Sequence, residues 1–80
     1  MPFRPDDIEP AGQVPDSTAF AYSVARDGEI VGRVHAPQAP GWLNAGQDPR
    51  EQIARRLNAV EETEGFEKLA AHLRATLDLG

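Results

Sequence analysis

The stretch of sequence that decides the fold is residues 18–36, TAFAYSVARDGEIVGRVHA. On both sides of Arg26-Asp27-Gly28, aromatic and aliphatic side chains alternate with polar or small ones, which is the pattern of two β-strands. Aspartate followed by glycine signals a tight turn, because glycine tolerates the positive φ that such turns require. Residues 18–36 therefore predict a β-hairpin.

Two registers of this hairpin compete, and the hydrophobic pattern decides between them. A two-residue loop would pair Tyr22 with Arg33 and mix aromatic and charged side chains on one face. A three-residue loop, with Gly28 in the left-handed region, collects the large apolar side chains on one face and uses Gly32 to make room for the Tyr22 ring. We therefore predict the three-residue loop. Its pairs, whose apolar members form the predicted core face, are Phe20 with Val34, Tyr22 with Gly32, and Val24 with Ile30.

A helix is predicted to begin after Asp48. Asp48 is a good N-cap, Pro49 suits the first helical position, and Glu51 stands three residues after the cap, as in a capping box. The apolar stripe that follows at helical spacing comprises Ile53, Leu57 and Val60.

A second apolar stripe follows in a different phase. It comprises Phe66, Leu69, Ala70, Leu73 and Leu77. Steps of about 100° per residue from Val60 to Phe66 leave this stripe rotated by roughly 120° from the first. Gly65 lies at the break. The simplest interpretation is two helices, about Pro49–Glu62 and Gly65–Leu79, joined by a tight bend, with one kinked helix as the alternative.

These elements predict an α+β fold, in which an antiparallel β-hairpin or three-stranded sheet packs against two C-terminal helices. A hairpin alone is marginally stable in water, so a third strand or a helical cover is needed. Trp42–Ala45, after the turn signal Pro40-Gly41, is the candidate third strand, with a loop as the alternative. Trp42 would pack over an edge of the core or anchor a partner.

The first seventeen residues are predicted to form an acidic, proline-rich flexible arm before a single small domain at 18–80. Proline removes a backbone hydrogen-bond donor and favours extended conformations in its predecessor. The prolines of the arm are Pro2, Pro5, Pro10 and Pro15. With few bulky apolar side chains in the segment, we expect it to order only on a partner.

The composition of the chain argues against several classes of function. The 80 residues carry a net charge of −5, which argues against direct nucleic-acid binding and favours a basic partner. Without cysteine there is no disulfide and no thiolate metal site. No window approaches the ~20 apolar residues of a membrane span, and the N-terminus lacks the apolar core of a signal peptide. We expect a soluble cytoplasmic protein that does not bind membranes.

Catalytic groups are sparse. Ser17 and Ser23 lie in no nucleophile motif, and His35 and His72 are far apart in the sequence. No phosphate-binding glycine loop and no metal-ligand spacing is present. The sequence therefore predicts a non-enzymatic protein without cofactor or metal; an enzyme would need a cleft joining one histidine to a carboxylate.

A cluster of acids is the strongest functional signal. Four glutamates fall within seven residues: Glu61, Glu62, Glu64 and Glu67. Glu61 and Glu62 are expected at the C-terminal end of a helix, where the helix dipole disfavours negative charge. We predict that the cluster binds a cationic protein surface, standing in for nucleic-acid phosphates. The other predicted partner-binding residues are Asp6, Asp7, Glu9 and Trp42.

Residues 37–52, PQAPGWLNAGQDPREQ, resemble the segment that links hairpin to helix in HicB-type antitoxins. The resemblance extends over about Phe20 to Leu57, and Trp42 stands where that family commonly has a small residue. It implies a ββ(β)α core that neutralises a basic RNA-cleaving toxin by binding it, without DNA binding by this chain. In that family a final strand follows the helix, whereas a second helical stripe stands here. Size and charge also resemble those of phage anti-CRISPR proteins.

The predicted function is a small inhibitor that blocks a basic nucleic-acid-handling protein. The alternative is a structural or assembly subunit that acts through homo-oligomerisation, because two differently phased apolar helix faces and Trp42 could be buried in a homodimer. The acidic surface would then serve solubility only.

Overall fold

A computed structural model of the chain describes residues 2–37 and 48–79. A short 3₁₀ turn at Pro5–Asp7 precedes strands β1 (Ile8–Gln13), β2 (Phe20–Arg26) and β3 (Glu29–Ala36). Helices α1 (Pro49–Glu64) and α2 (Phe66–Arg74) follow, and then strand β4 (Leu77–Asp78). The four strands form one sheet in the order β1-β2-β3-β4. The first three strands are antiparallel neighbours, and β4 runs parallel to β3. The α+β fold, with the sheet packed against helices, is confirmed.

The hairpin turns through two residues, so the predicted three-residue loop is wrong. Arg26 pairs with Glu29 across the turn. Asp27 and Gly28 both adopt positive φ, 53° and 82°, as a two-residue turn of this kind requires. The left-handed conformation predicted for Gly28 is thus present, in a different loop.

A β-bulge then changes the register of the hairpin. Ala25 pairs with Ile30, but Val24 pairs with Gly32, which leaves Val31 as the extra residue of β3. Tyr22 consequently lies opposite Val34 rather than Gly32. Because the bulge shifts β3 by one residue, the two-residue turn coexists with a sorted core face.

The core face differs from prediction mainly at Ile30. Tyr22, Val24 and Val34 are buried as predicted, and Phe20 packs partly buried against them. Ile30 is 73% exposed, because it lies on the turn side of the bulge. The alternation of buried and exposed side chains that holds from Gly32 to Ala36 does not continue there.

Gly32 provides space for helix α2 and not for the Tyr22 ring. A Cβ atom built at Gly32 would overlap the backbone carbonyl group and Cβ of Leu73. Leu73 is itself buried in α2. The missing side chain therefore allows the helix to lie directly on β3, and this contact sets how closely sheet and helix approach.

The N-terminal arm is part of the folded domain, which corrects the prediction of a flexible segment. Residues Ile8–Gln13 form edge strand β1, and Phe3 and Ile8 belong to the hydrophobic core. Proline is tolerated in an edge strand, and a shift of register between Pro10 and Gly12 interrupts the ladder there. Two buried apolar side chains and the pairing with β2 therefore attach a proline-rich segment to the sheet.

The docking of the arm predicts unequal effects for two isoleucines. Ile8 has no exposed surface, whereas Ile30 is 73% exposed. Ile8→Val should lower the free energy of unfolding by about 1 kcal/mol, and Ile30→Val should change it by less than about 0.5 kcal/mol. Urea unfolding of the two variants measures the difference. Equal, negligible effects would mean that the arm does not contribute to the core.

The helices follow the predicted pattern up to Arg74. Asp48 caps α1 by accepting a 2.9 Å hydrogen bond from the Arg50 backbone N–H. The predicted bend is at Gly65, whose φ is 92°. Helix α1 continues to Glu64, two residues beyond the predicted end.

The predicted second helix to Leu79 is wrong in its last turn. Thr76 has a φ of 73°, which reverses the chain, and Leu77–Asp78 pairs with β3. The Leu79 backbone N–H donates a 2.8 Å hydrogen bond to the carbonyl of His35. A strand therefore follows the helices at positions where the sequence predicts helix. The candidate strand Trp42–Ala45 lies outside the described residues.

The core lies between the sheet and both helices. Helix α1 contributes Ile53, Ala54 and Leu57, and helix α2 contributes Leu69, Ala70 and Leu73. Val60 and Leu77 are partly buried against this core, and Phe66 is exposed. None of the helices in the described part of the chain has the length and hydropathy of a membrane span.

Tyr22, the single tyrosine of the sequence, reports on the core by titration. Burial raises the pKa of its hydroxyl, and the Asp48 carboxylate raises it further. The Tyr22 hydroxyl therefore ionises at a lower pH in the unfolded chain than in the folded chain. The stability that this difference provides is fully present below pH ~10 and should be lost as the pH rises through the folded pKa. Tyrosinate absorbance should show a midpoint above ~10, lowered in part by Asp48→Asn. A midpoint at the ordinary value would contradict the burial.

Candidate acidic binding surface

Three glutamates surround the bend between the helices on the outside of the molecule. Glu62 and Glu64 lie in the last turn of α1, and Glu67 is the second residue of α2. All three are exposed. We call Glu62, Glu64 and Glu67 the acidic bend. Gly65 makes it compact: its N–H donates to the carbonyl of Glu61, and its carbonyl accepts from the N–H of Leu69.

Glu61 lies apart from these three because its carboxylate is bound within the molecule. Both of its oxygens accept hydrogen bonds from the Arg26 guanidinium, and the Oε1 bond is 3.0 Å long. The side chains of Arg26 and Glu61 are only 19% and 24% exposed. Glu61 is thus neutralised by an internal arginine and adds little to the outward negative potential.

Arg26 connects three parts of the fold at this end of the molecule. Its guanidinium lies over the ring of Phe3 at 4.1 Å from the centroid and over the ring of Phe66 at 4.8 Å. Planar guanidinium groups stack on aromatic faces while binding carboxylates with both branches, which lysine cannot do. We call Arg26, Glu61, Phe3 and Phe66 the arginine clamp.

The clamp is reinforced by Asn58 of helix α1. Its Oδ1 accepts a 2.7 Å hydrogen bond from the Phe3 backbone N–H, and its Nδ2 donates one of 3.1 Å to the Phe3 carbonyl. The arm is therefore fastened beside the bend through both backbone groups and the ring of Phe3. Of these residues the sequence predicts Glu61 as a partner contact and Phe66 as part of an apolar stripe, but it predicts no role for Arg26, Phe3 or Asn58.

Glu64 makes a weak electrostatic contact with the second helix. Nε2 of His72 lies 3.8 Å from Glu64 Oε1, and both side chains are more than 40% exposed. At this distance and exposure an ion pair contributes little even when histidine is protonated. Glu62 and Glu67 have no salt bridge to any of the described residues. The acidic bend therefore keeps most of its negative charge.

The predicted acids of the arm do not join the acidic bend as one cluster. Asp48 raises the pKa of Arg50 near the start of α1, and the charge of Asp6 adds a small increase, which puts Asp6 toward the end of that helix away from the bend. Asp7 accepts a 3.0 Å hydrogen bond from the Arg4 backbone N–H. Glu9 is exposed opposite Ser23 on β2. The fourth predicted contact, Trp42, lies outside the described residues.

Much of the apolar helix surface on which the homodimer alternative depends is covered within a single chain. Most of the two apolar stripes is buried within the same chain, with Ile53, Leu57 and Leu69 fully covered, whereas Phe66 of the second stripe is exposed. The large hydrophobic side chains exposed among residues 2–37 and 48–79 are Ile30 and Phe66. Apart from Phe66, the two differently phased stripes therefore need no second copy to cover them.

The acidic bend can interact with a partner through its charge. Within the described ranges, no three histidine, aspartate or glutamate side chains are grouped to hold a metal ion.

Most of segment 37–52, which carries the resemblance to HicB-type antitoxins, lies outside those ranges. No family model, curated protein or solved structure matches the chain, and the resemblance stays a prediction from sequence.

Proposed function

We propose that the chain is a small non-enzymatic inhibitor that binds a basic nucleic-acid-handling protein through the acidic bend and blocks it. The bend would occupy a groove that normally takes nucleic-acid phosphates, in the manner of an antitoxin or an anti-CRISPR protein. The observation that carries the proposal is the exposure of three carboxylates around Gly65 without a lysine or arginine partner among the described residues.

Helix stability does not account for Glu62 and Glu64 in α1, whereas it favours Glu67 in the first turn of α2. Glu62 and Glu64 lie at the C-terminal end of α1, where the helix dipole makes a negative charge unfavourable by about 0.3–1 kcal/mol. The last turn of α1 contains no basic residue to offset them. Retaining acids where they weaken the helix is consistent with a role in binding.

The proposed contact surface contains fewer residues than the sequence predicted. Glu61 is bound to Arg26 and acts by holding the bend, while Glu62, Glu64 and Glu67 make the contact. Such contacts increase the association rate with a cationic partner and weaken as salt screens them over a Debye length of about 8 Å at physiological ionic strength.

Nuclease inhibition by a charge-neutralised variant tests the proposal. The probes are two purified enzymes with basic nucleic-acid grooves, a guide-RNA-loaded CRISPR effector and an RNA-cleaving toxin. We expect stoichiometric inhibition of one of them by the wild-type protein, weakened about tenfold or more by Glu62→Gln with Glu67→Gln.

The matched control is Asp16→Asn with Glu51→Gln, which removes the same charge at exposed positions outside the acidic bend. This variant should inhibit as well as the wild-type protein. An equal loss of inhibition in both variants would show that inhibition depends only on the net charge of the protein. Full inhibition by the Glu62→Gln, Glu67→Gln variant would exclude the acidic bend as the contact.

A further inference from the structure

The two faces of the sheet have different surroundings. Tyr22 and Val24 of β2 are buried in the core beneath the helices. Because successive side chains of a strand point to opposite faces, Ala21 and Ser23 lie on the other side of the sheet, where they are half-buried. We call the side that carries Ala21 and Ser23 the open face.

Two polar side chains of β3 lie on the open face beside those of β2. Arg33 pairs with Ser23, and His35 pairs with Ala21. Residues that pair across neighbouring strands point to the same face, and Val34 between them is buried on the other face. The open face therefore brings three hydrogen-bond donors together, the Arg33 guanidinium, the Ser23 hydroxyl and the His35 imidazole.

A hollow of about 330 Å³ lies on the open face next to these donors. Its volume is at the lower end of the range of about 300–1,000 Å³ typical of ligand sites, so it fits a small molecule. Polar groups lie on one side of the hollow and apolar groups on the other. The lining residues used below are Val14, Pro15, Ala21, Ser23, Arg33 and His35.

The apolar wall of the hollow is held in place by hydrogen bonds. The backbone N–H of Val14 donates a 2.9 Å hydrogen bond to the Ala19 carbonyl at the start of β2. The Nε2 atom of Gln13 donates another, also 2.9 Å long, to the Ser17 carbonyl. The wall formed by Val14 and Pro15 is therefore fixed against the sheet before a ligand binds.

The donors of the hollow have no partner within residues 2–37 and 48–79. Neither Arg33 nor His35 forms a salt bridge to a described residue, and the Ser23 hydroxyl forms no hydrogen bond to one. In the same chain, Arg26 and Arg50 are each bound to a carboxylate. The polar side of the hollow can therefore bind an anionic group.

The charges around the hollow favour a ligand with one negative charge. Glu9 pairs with Ser23 from β1 but does not line the hollow, and Asp78 pairs with His35 from β4. These acids and the net charge of −5 oppose a multiply charged group such as phosphate. A carboxylate carries a single charge, and its two oxygens match the two-branched guanidinium of Arg33.

We propose that this hollow binds a small aromatic carboxylate. The Arg33 guanidinium binds both carboxylate oxygens, while the Ser23 hydroxyl and a ring N–H of His35 donate further hydrogen bonds. The aromatic ring lies over Ala21 and against Val14, because small side chains in the floor leave room for a flat group. The site lies on the face of the sheet opposite the helices that carry the acidic bend, and it does not depend on the proposed function.

An NMR titration of the backbone amides tests this site. The probe is 2-naphthoate. The control ligands are 2-naphthalenemethanol, which keeps the rings without the charge, and acetate, which keeps the charge without the rings. We expect saturable shifts at Ser23, Arg33 and His35 with a Kd below about 1 mM for the probe, and at least about tenfold weaker binding of either control ligand.

Variants of the hollow locate the binding. Arg33→Gln should weaken the affinity for 2-naphthoate about tenfold or more, whereas Arg55→Gln, at an exposed position of α1, should leave it unchanged. Ala21→Leu should also weaken binding, because the larger side chain fills the floor of the hollow. Ala59→Leu adds the same group at an exposed position of α1 and should have no effect. The dispersion of the amide signals shows whether each variant is folded.

Three results would overturn the proposal. The first is the absence of saturable binding of 2-naphthoate with a Kd below about 1 mM. The second is unchanged affinity in the folded Arg33→Gln variant. The third is equal affinity for 2-naphthalenemethanol, since the hollow would then not recognise the carboxylate. The acidic-bend proposal is tested by other variants and by nuclease inhibition, so these results would leave it standing.

Discussion

Replacing Gly32 with valine is expected to remove a large part of the free energy of unfolding. A Cβ at this position overlaps backbone atoms and the Cβ of Leu73, and no change of side-chain rotamer can relieve a collision with a helix backbone. Overpacking in a core costs about 1–3 kcal/mol when side chains can adjust, so we expect more than about 3 kcal/mol here. For 80 residues, total stability is about 4–12 kcal/mol.

The alanine variant makes the test sharper. Gly32 is not in the left-handed region, where a side chain would be strained, so Gly32→Ala would ordinarily stabilise by about 0.4–1 kcal/mol. We expect the opposite sign, with valine worse than alanine, measured by urea unfolding. Ala25→Val on the neighbouring strand is the control and should cost less than about 1 kcal/mol. Wild-type stability in Gly32→Val would contradict the packing of α2 on β3.

Removing the guanidinium of Arg26 should lower the free energy of unfolding by about 2–3 kcal/mol. The largest part is the penalty of leaving the partly buried Glu61 carboxylate unpaired, and the rest is the loss of stacking on Phe3 and Phe66. Arg26→Lys should recover only part of the loss, because lysine keeps the charge but not the two-branched, planar contact.

A double-mutant cycle separates the ion pair from the stacking. We expect a coupling of about 1 kcal/mol or more between Arg26→Ala and Glu61→Gln in urea unfolding. Arg55→Ala, an exposed arginine of α1, is the control and should cost less than about 0.5 kcal/mol. If Arg26→Ala costs no more than this control, the arginine clamp does not hold the arm and the bend together.

Local signals in the sequence were sufficient for much of the fold. The capped start of α1 at Asp48, the bend at Gly65 and a turn containing Gly28 each depend on a few neighbouring residues. The hairpin register could not be obtained in this way, because a bulge at Val31 has no distinctive residue pattern. Thr76 ends the second helical stripe with a positive φ that its residue type does not signal.

Long-range contacts explain what the sequence missed. The arm looked too polar to fold alone, but the sheet buries Phe3 and Ile8, and an edge strand tolerates proline. Glu61 looked equivalent to its neighbours in the acidic cluster, yet its partner is 35 positions away on β2. A linear charge cluster does not reveal which of its members face inward.

The salt dependence of binding tests the central claim most directly. For the nuclease that the wild-type protein inhibits, Kd is measured across a series of salt concentrations for the wild type, the Glu62→Gln, Glu67→Gln variant and the Asp16→Asn, Glu51→Gln control. The account predicts that affinity falls with salt for the wild type and the control and that the variant shows a clearly shallower slope. Identical slopes for all three proteins would show that the carboxylates around Gly65 take no part in recognition.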